Sequence, residues 1–158
     1  MRWNDLGEEN CPVARALSVV GDRWTLLILR EAFRRVRRFE DFQSRLGVTR
    51  PVLAERLRKL VESGVLEKLP YQQRPLRHEY RLTEKGKALN SVLISLFAWG
   101  DSQMRAPDEP HYMRLRHTTC GHVMTPVVVC GECGEPMTPQ TTEMVADLAD
   151  EPARREAV

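Results

Sequence analysis

Apolar residues in the first third of the chain recur at the spacing of helices that bury one face. Between Pro12, which suits a first helical turn, and Gly21, which can end a helix, they lie three or four positions apart. A denser apolar segment follows and predicts a second, well-buried helix over residues 24–35. The chain therefore begins with two helices that need a common core.

A helix-turn-helix pattern comes next, over residues 39–64. Residues 39–46 predict a short amphipathic helix, and residues 47–49 predict a tight turn. Thr49 can cap the second helix, whose first turn contains Pro51. The apolar residues of this second helix share one face, and they are Leu53, Leu57, Leu60 and Val61. Such a pair of helices is a candidate DNA-binding motif.

A β-hairpin is predicted directly after the second helix. Residues 65–69 and 78–82 alternate in polarity as antiparallel strands do, and a basic loop with two prolines separates them. A hairpin in this position is a wing. Thr83 then caps a long predicted helix with a wide apolar surface between Leu89 and Trp99, which another element has to cover. The predicted fold class is mainly α with a small β component (α+β), a winged helix-turn-helix.

Charge is distributed unevenly along the chain. The 24 Lys and Arg residues exceed the 22 Asp and Glu residues by only two. Between Arg23 and Arg81, however, there are 15 basic and 7 acidic residues, a net charge of +8. Residues 138–158 contain 2 basic and 5 acidic residues, a net charge of −3. A basic middle segment favours a polyanionic partner such as nucleic acid.

The sequence has no recognisable membrane or secretion signal. No apolar segment reaches the roughly 20 residues that a membrane span needs, and the first residues lack the apolar run of a signal peptide. We therefore expect a cytoplasmic protein with no membrane partner. Its four cysteines are then expected to be reduced thiols or metal ligands rather than disulfides.

Three of the four cysteines lie in a C-terminal segment rich in valine and threonine. His117 and Cys120 are three positions apart, as are Cys130 and Cys133, and a glycine follows each pair. This is the spacing of zinc knuckles, and two knuckles supply the three cysteines and one histidine of a closed structural Zn2+ site. His122 is a rival for the histidine ligand, but its spacing from Cys120 is too short for the usual knuckle. The alternative is a β-hairpin unit that folds without metal.

The predicted elements divide the chain into four parts. The winged-helix DNA-binding and dimerisation domain covers residues 1–104, and a proline-containing linker covers 105–110. A zinc-ribbon-like β unit covers 111–138, with a strand predicted at 127–129. Residues 139–158 are expected to form an acidic, weakly ordered tail.

Several motifs occur in order over residues 10–104. They are Cys11-Pro12, Gly21-Asp22-Arg23-Trp24-Thr25, Arg38-Phe39, Arg56-Leu57, Arg74-Pro75 and Glu79-Tyr80-Arg81-Leu82-Thr83-Glu84-Lys85-Gly86. With these motifs the chain resembles the HxlR-type family of bacterial regulators, which is related to the MarR-type winged helices. The resemblance implies a transcriptional regulator, more commonly a repressor, that binds double-stranded promoter DNA as a homodimer. It implies dimerisation through the first helix and the helix after the wing, and leaves room for a small-molecule effector that nothing in the sequence identifies.

The second helix of the motif is expected to read the bases. Its N-terminal turn is the end that approaches base edges in most helix-turn-helix proteins. We therefore assign base reading chiefly to Arg50, within the turn formed by Thr49, Arg50 and Pro51, with help from Thr49 and from Arg56 at the boundary of the buried face. Two further basic residues point outward along the helix, and they are Arg58 and Lys59.

Other basic residues are better suited to the DNA backbone. Gln73, Arg74 and Arg77 lie in the predicted wing, where phosphate or minor-groove contacts position a protein without reading much sequence. Arg38 precedes the first helix of the motif and is a candidate phosphate contact.

Cys11 stands apart from the other cysteines, at the start of the first predicted helix. A cysteine at a helix N-terminus is a reasonable position for a reactive thiol, and relatives in the resembled family use a cysteine there to sense oxidants or electrophiles. The alternative is a small buried apolar residue.

Catalysis is not expected from this sequence. It has no glycine-rich phosphate loop, no nucleophile elbow and no suitably spaced pair of acids. The alternative to a DNA-binding regulator is a zinc-ribbon and winged-helix module that binds another protein without specific DNA binding. The basic recognition helix and wing favour DNA.

Overall fold

The computed structural model describes residues 7–8 and 10–145. The helices are α1 Pro12–Val20, α2 Arg23–Phe33, α3 Phe39–Leu46, α4 Arg50–Glu62, α5 Glu84–Ala88 and α6 Asn90–Gln103. The strands are β1 Leu66–Gln73, β2 Leu76–Leu82, β3 Leu115–Arg116 and β4 Val123–Met124. The chain divides into two units, Met1–Gly100 and Asp101–Val158. Most of the predicted acidic tail, residues 146–158, lies outside the described residues.

The core of the first unit lies where α2, α3 and α4 meet the base of the hairpin. Its fully buried apolar side chains come from all of these elements, and they are Ile28, Leu29, Phe42, Leu53, Leu57, Leu60, Val65 and Leu66. Leu53, Leu57 and Leu60 face this core, so the predicted inner face of α4 is confirmed. The α+β winged helix-turn-helix class predicted from the sequence is confirmed.

Among the described residues of this unit, one charged side chain is buried. Glu31, on α2, is only 1% exposed. Its carboxylate forms ion pairs with Arg30 at 2.9 Å, Arg34 at 3.2 Å and Arg45 at 3.5 Å. Because Arg45 belongs to α3, the buried acid joins α2 to the first helix of the helix-turn-helix motif. A buried charge is tolerated when it is paired in this way.

The wing is longer than the sequence predicts. β1 and β2 pair antiparallel from Leu66 with Leu82 to Gln73 with Leu76, so much of the predicted loop is strand. The register shifts between Pro70 and Gln72, where an irregularity accommodates the proline that cannot donate a ladder hydrogen bond. Only Arg74 and Pro75, joined by a cis peptide bond, remain as the turn.

The helix predicted after the wing is two helices. The Thr83 hydroxyl caps α5 by accepting a hydrogen bond from the Gly86 N–H at 3.1 Å. The Leu89 N–H donates to the Gly86 carbonyl, a tighter turn than an α-helix makes, and separates α5 from α6. The single long helix predicted from the sequence is therefore wrong at Leu89. None of the described helices is long and apolar enough to cross a membrane.

The described part of the second unit, after the end of α6, contains short hairpins. β3 pairs with β4, and the predicted strand at 127–129 is reduced to one bridge between Val129 and Pro136. The predicted linker is an ordered turn, in which Arg105 donates a hydrogen bond to the Glu109 carbonyl at 2.6 Å. Among the described residues 101–145, every side chain is at least partly exposed. This unit therefore has no apolar core of its own within that range.

Candidate nucleic-acid interface

The N-terminal turn of α4 is exposed. Thr49 is the N-cap residue, but its side chain makes no capping hydrogen bond, in contrast to the prediction that it would. Thr49, Arg50 and Pro51 are all exposed. The Arg50 guanidinium lies 4.8 Å from the centre of the Phe39 ring, so a residue of α3 supports the arginine that begins the recognition helix.

The segment just before α3, Arg37 and Arg38, is hydrogen-bonded to the wing. An isolated antiparallel β-bridge joins the backbone of Arg38 to that of Glu79 in β2, and the Tyr80 N–H donates a hydrogen bond to the Arg37 carbonyl at 2.7 Å. The Arg38 guanidinium lies 4.7 Å from the centre of the Tyr71 ring. The residue that precedes α3 is thereby attached to the wing, and its charge lies over a wing aromatic ring.

An open groove of about 210 Å³ lies between the start of α4 and the wing. Its positively charged lining comes from Arg50, Lys68 and Arg77. Aromatic rings and other side chains complete the lining, and they include Phe39, Tyr71, His78 and Tyr80. Burial, and then the negative charge of Glu40, raise the pKa of Tyr80, so its phenol stays a neutral hydrogen-bond donor. Cations interleaved with rings suit a phosphate backbone.

The tip of the wing is polar and exposed. Gln73, Arg74, Pro75 and Arg77 are all exposed, and the Arg74 carbonyl accepts a hydrogen bond from Gln72 at 3.0 Å. The three wing residues predicted from the sequence therefore lie on an accessible projection from the domain.

The predicted contacts farther along α4 are engaged within the protein. Arg58 forms ion pairs with Glu55 at 2.8 Å and with Glu62 at 2.5 Å, and Lys59 lies 3.6 Å from Glu55. Hydrogen bonds from Arg58 lower the pKa of Glu55. Hydrogen bonds to Glu55, and then to Glu62, raise the pKa of Arg58. These two acids offset the positive charge at this end of the helix.

Arg56 also has an internal partner. Its Nε lies 3.1 Å from the carboxylate of Asp22, and both side chains are mostly buried. The same carboxylate accepts a hydrogen bond from the Trp24 N–H at 2.9 Å and caps α2. Arg23 lies over the Trp24 ring at 5.8 Å. Arg56 thus pairs by charge with the start of α2, although its buried Nε has no hydrogen-bond partner among the described residues.

The ten predicted DNA-binding residues therefore fall into two groups. One group lies around the groove and the wing tip, and consists of Arg38, Thr49, Arg50, Pro51, Gln73, Arg74 and Arg77. The other group has acidic partners within the domain, and consists of Arg56, Arg58 and Lys59. Sequence reasoning missed Lys68, Phe39 and Tyr71 as groove residues. The alternation of side chains along β1 could have indicated Lys68.

The residues predicted to bind zinc form two pairs. The Nδ1 of His117 lies 3.2 Å from the Cys120 sulfur. Hydrogen bonds to its sulfur from the backbone of Cys133, and then of Glu132, lower the pKa of Cys130. Within residues 7–8 and 10–145, no three potential ligands are gathered closely enough to hold a metal ion. The zinc site stays a prediction.

The exposed turn of α4, the adjoining basic groove and the wing define a winged helix-turn-helix DNA-binding transcriptional regulator. Residues 19–108 match the model of a family described as HxlR-like helix-turn-helix. The chain belongs to this family, as its motifs indicate.

Individual relatives agree with this assignment. The chain is 51% identical over 126 residues to the uncharacterized HTH-type transcriptional regulator Rv3095 of Mycobacterium tuberculosis, covering 80% of this chain and 79% of that protein. It is 33% identical over 98 residues to the HTH-type transcriptional regulator YodB of Bacillus subtilis, covering 61% and 88%.

Solved structures show the same fold. The crystal structure of PA1607 matches with a TM-score of 0.80 and 41% identity, over 89% of this chain and 98% of that one. The reduced form of the redox regulator HypR matches with a TM-score of 0.56 and 29% identity, over 60% and 94%. Because the family model ends at residue 108, the match to PA1607 extends beyond the winged helix.

Proposed function

We propose that the protein is a homodimeric repressor that binds promoter DNA with the start of α4 in a major groove and the wing along the backbone. The observation that carries this proposal is the basic groove between Arg50 and the wing. Three cations, one acid (Glu40) and several aromatic rings line this groove, next to an exposed helix N-terminus that can approach base edges.

Dimerisation is supported by exposed apolar side chains on α1 and α6. Val13 and Leu17 of α1 are 61% and 42% exposed, and Trp99 of α6 is 57% exposed. Val92 and Leu96 of α6 are also exposed. These are the two helices through which the family resemblance implies dimer formation, and burying both faces against a second copy would remove this apolar surface from water.

The proposed contacts differ in what they contribute. Arg50 is assigned to base edges, where a bidentate arginine–guanine contact discriminates against the wrong base by about 1–3 kcal/mol. Arg74 is assigned to phosphate, where it adds affinity for every sequence. Lys87 of α5 does not line the groove and pairs with Glu84 at 2.6 Å, so it provides a matched control.

Binding titrations at several salt concentrations test this division. The operator is first identified by in vitro selection and footprinting. We expect Arg50→Ala to lose preference for operator over random duplex. Arg74→Ala should weaken both duplexes similarly and reduce the slope of log K against log salt by about one unit. Lys87→Ala should change neither quantity.

Two results would contradict the proposal. Identical behaviour of the Arg50 and Arg74 variants would refute the assigned roles. A monomeric protein, or one without preference for any duplex at low salt, would favour the alternative of a protein-interaction module. Analytical ultracentrifugation of the same samples gives the oligomeric state.

We further propose that a disulfide of Cys11 controls DNA binding. It would form with a small thiol or with Cys11 of a second subunit, as the two thiols lose their protons and two electrons to an oxidant such as diamide. Cys11 is exposed and is the N-cap residue of α1, one of the two proposed dimer helices. HypR, a structural relative, is described as a redox regulator, and YodB has been solved after diamide treatment. Because α1 is one of the two proposed dimer helices, oxidation of Cys11 would act on the packing of two subunits.

A diamide titration of DNA binding tests the role of Cys11. We expect diamide to release the wild-type protein from operator DNA and to leave Cys11→Ser bound. Equal release of both proteins, or of neither, would contradict this proposal.

A further inference from the structure

The second unit contains the same backbone hairpin twice, thirteen residues apart. The first copy spans residues 115–124 and the second spans residues 128–137. In the first copy, Arg116 pairs with Val123, and in the second, Val129 pairs with Pro136, which are the equivalent positions. The next rung outward also matches: Leu115 pairs with Met124, and the Met137 N–H donates to the Val128 carbonyl.

The loops of the two hairpins match in their hydrogen bonds. The N–H of His117 donates to the His122 carbonyl at 2.9 Å, and the N–H of Cys130 donates to the Glu135 carbonyl at 2.8 Å. The loop glycines also form equivalent hydrogen bonds. The Gly121 N–H donates to the His117 carbonyl, and the Gly134 N–H donates to the Cys130 carbonyl. The two loops therefore share one backbone conformation.

The glycines explain why the loop can close in this manner. Gly121 and Gly134 both have a φ of +76°, a left-handed conformation that other residues rarely adopt. Each glycine immediately follows a cysteine, so the chain turns back directly after that cysteine. The repeated hairpin thus places a cysteine and a second donor at the same two positions of each loop.

This repeat decides between the two candidate histidines. His117 occupies the position of Cys130, and Cys120 occupies the position of Cys133. His122 occupies the position of Glu135, which lies outside the donor pair. The close approach of the His117 ring to the Cys120 sulfur, at 3.2 Å, agrees with this alignment.

The described part of this unit, residues 101–145, lacks the usual means of holding such hairpins together. All four cysteines are free thiols, and no side chain in the described residues 101–145 is fully buried. Units of this size without a sufficient apolar core are commonly stabilised by disulfides or a metal ion. One pair of donors supplies half of a tetrahedral site, and two pairs complete it.

We propose that His117, Cys120, Cys130 and Cys133 together bind one structural Zn2+ ion, which cross-links the two hairpins. Because no three of these donors are gathered closely enough in the described residues, binding of the ion has to bring the two pairs together. Three thiolates and one imidazole form a closed tetrahedral set, so the ion has no open position for catalysis. Binding releases the thiol protons to solvent and requires a neutral imidazole. This inference does not rest on DNA binding, and the two can fail separately.

Metal analysis of the intact protein tests the proposal. We expect about one zinc ion per chain after dialysis against a mild chelator. Thiol titration should then find Cys11 reactive and the other three cysteines protected, with all four reactive after denaturation and chelation. Cobalt substitution of the apoprotein should give the thiolate charge-transfer and tetrahedral d–d absorption bands.

Three variants keep the test independent of simple misfolding. His117→Ala should lose the retained zinc, and His122→Ala, the matched control, should keep it. His117→Cys makes the two hairpins alike in their donors and should retain zinc in a site of four thiolates. DNA binding, measured on the same samples, reports the proposed function separately.

Specific results would overturn the proposal. It fails if the wild-type protein has no zinc, takes up no cobalt and reacts at all four thiols. It also fails if His117→Ala retains as much zinc as the wild type, because the assigned ligand would then be wrong.

Discussion

Replacement of Gly86 by alanine sets helix propensity against close packing. Gly86 lies in α5, where it is buried. A Cβ added there would fall far inside van der Waals contact with the Val65 carbonyl oxygen and 3.0 Å from the Leu82 Cδ2. The oxygen belongs to the backbone at the start of the wing, so it cannot rotate away as a side chain can.

The magnitude follows from two opposing terms. Alanine is favoured over glycine in a helix interior by about 1 kcal/mol. Forcing an extra methyl into a packed site costs about 1–3 kcal/mol, and a rigid backbone neighbour favours the upper end. We therefore expect Gly86→Ala to lower the free energy of unfolding by about 2 kcal/mol. That corresponds to a fall in Tm of roughly 4–8 °C for a chain of this size.

Urea denaturation followed by tryptophan fluorescence measures this change. Wild type and variant are compared at one protein concentration, because the stability of the proposed dimer would depend on concentration. Gly100→Ala is the matched control: Gly100 is also helical, and nothing lies within 4 Å of its added Cβ. The control should be as stable as the wild type, or more stable by up to about 1 kcal/mol. If Gly86→Ala were as stable as its control, the close approach of α5 to the wing would be refuted.

Two further predictions concern the ion pairs of the helix-turn-helix. Arg58→Ala should weaken DNA binding less than Arg50→Ala does, because Glu55 and Glu62 already engage its guanidinium; an equal loss in the same titration would contradict this. Asp22→Ala should lower the free energy of unfolding by about 1–2 kcal/mol, since it removes the α2 cap and the partner of Arg56. Asp22→Asn, which retains a capping oxygen, should recover part of that loss in urea denaturation, and no recovery would argue against the cap.

Periodic patterns predicted the helical part of the fold well. The bounds of α1 and α3 and the inner face of α4 follow from apolar spacing and from Pro12 and Pro51, which are local signals. The sequence predicts too short a wing because prolines and polar residues are local signals of a loop. An irregularity in the strand register accommodates Pro70, and that depends on pairing with β2, which no local pattern contains.

The candidate interface could be predicted only in part for the same reason. A helical wheel places Arg58 and Lys59 outward, as the structure does, but it cannot show that their charges are offset by Glu55 and Glu62. Nor can it show that Arg56 reaches Asp22, because that contact joins two helices distant in sequence. The aromatic partners of Arg38 and Arg50 likewise depend on the tertiary fold.

The acid buried beneath the helix-turn-helix shapes how the domain appears to a distant polyanion. By pairing with three arginines, Glu31 cancels part of their positive charge at long range. Three arginines and one acid leave two positive charges there, so the cluster adds to the field of Arg50 and the wing. A domain whose positive charge is unevenly distributed experiences a torque near a duplex, so its field can align it before contact and shorten the search for a productive orientation.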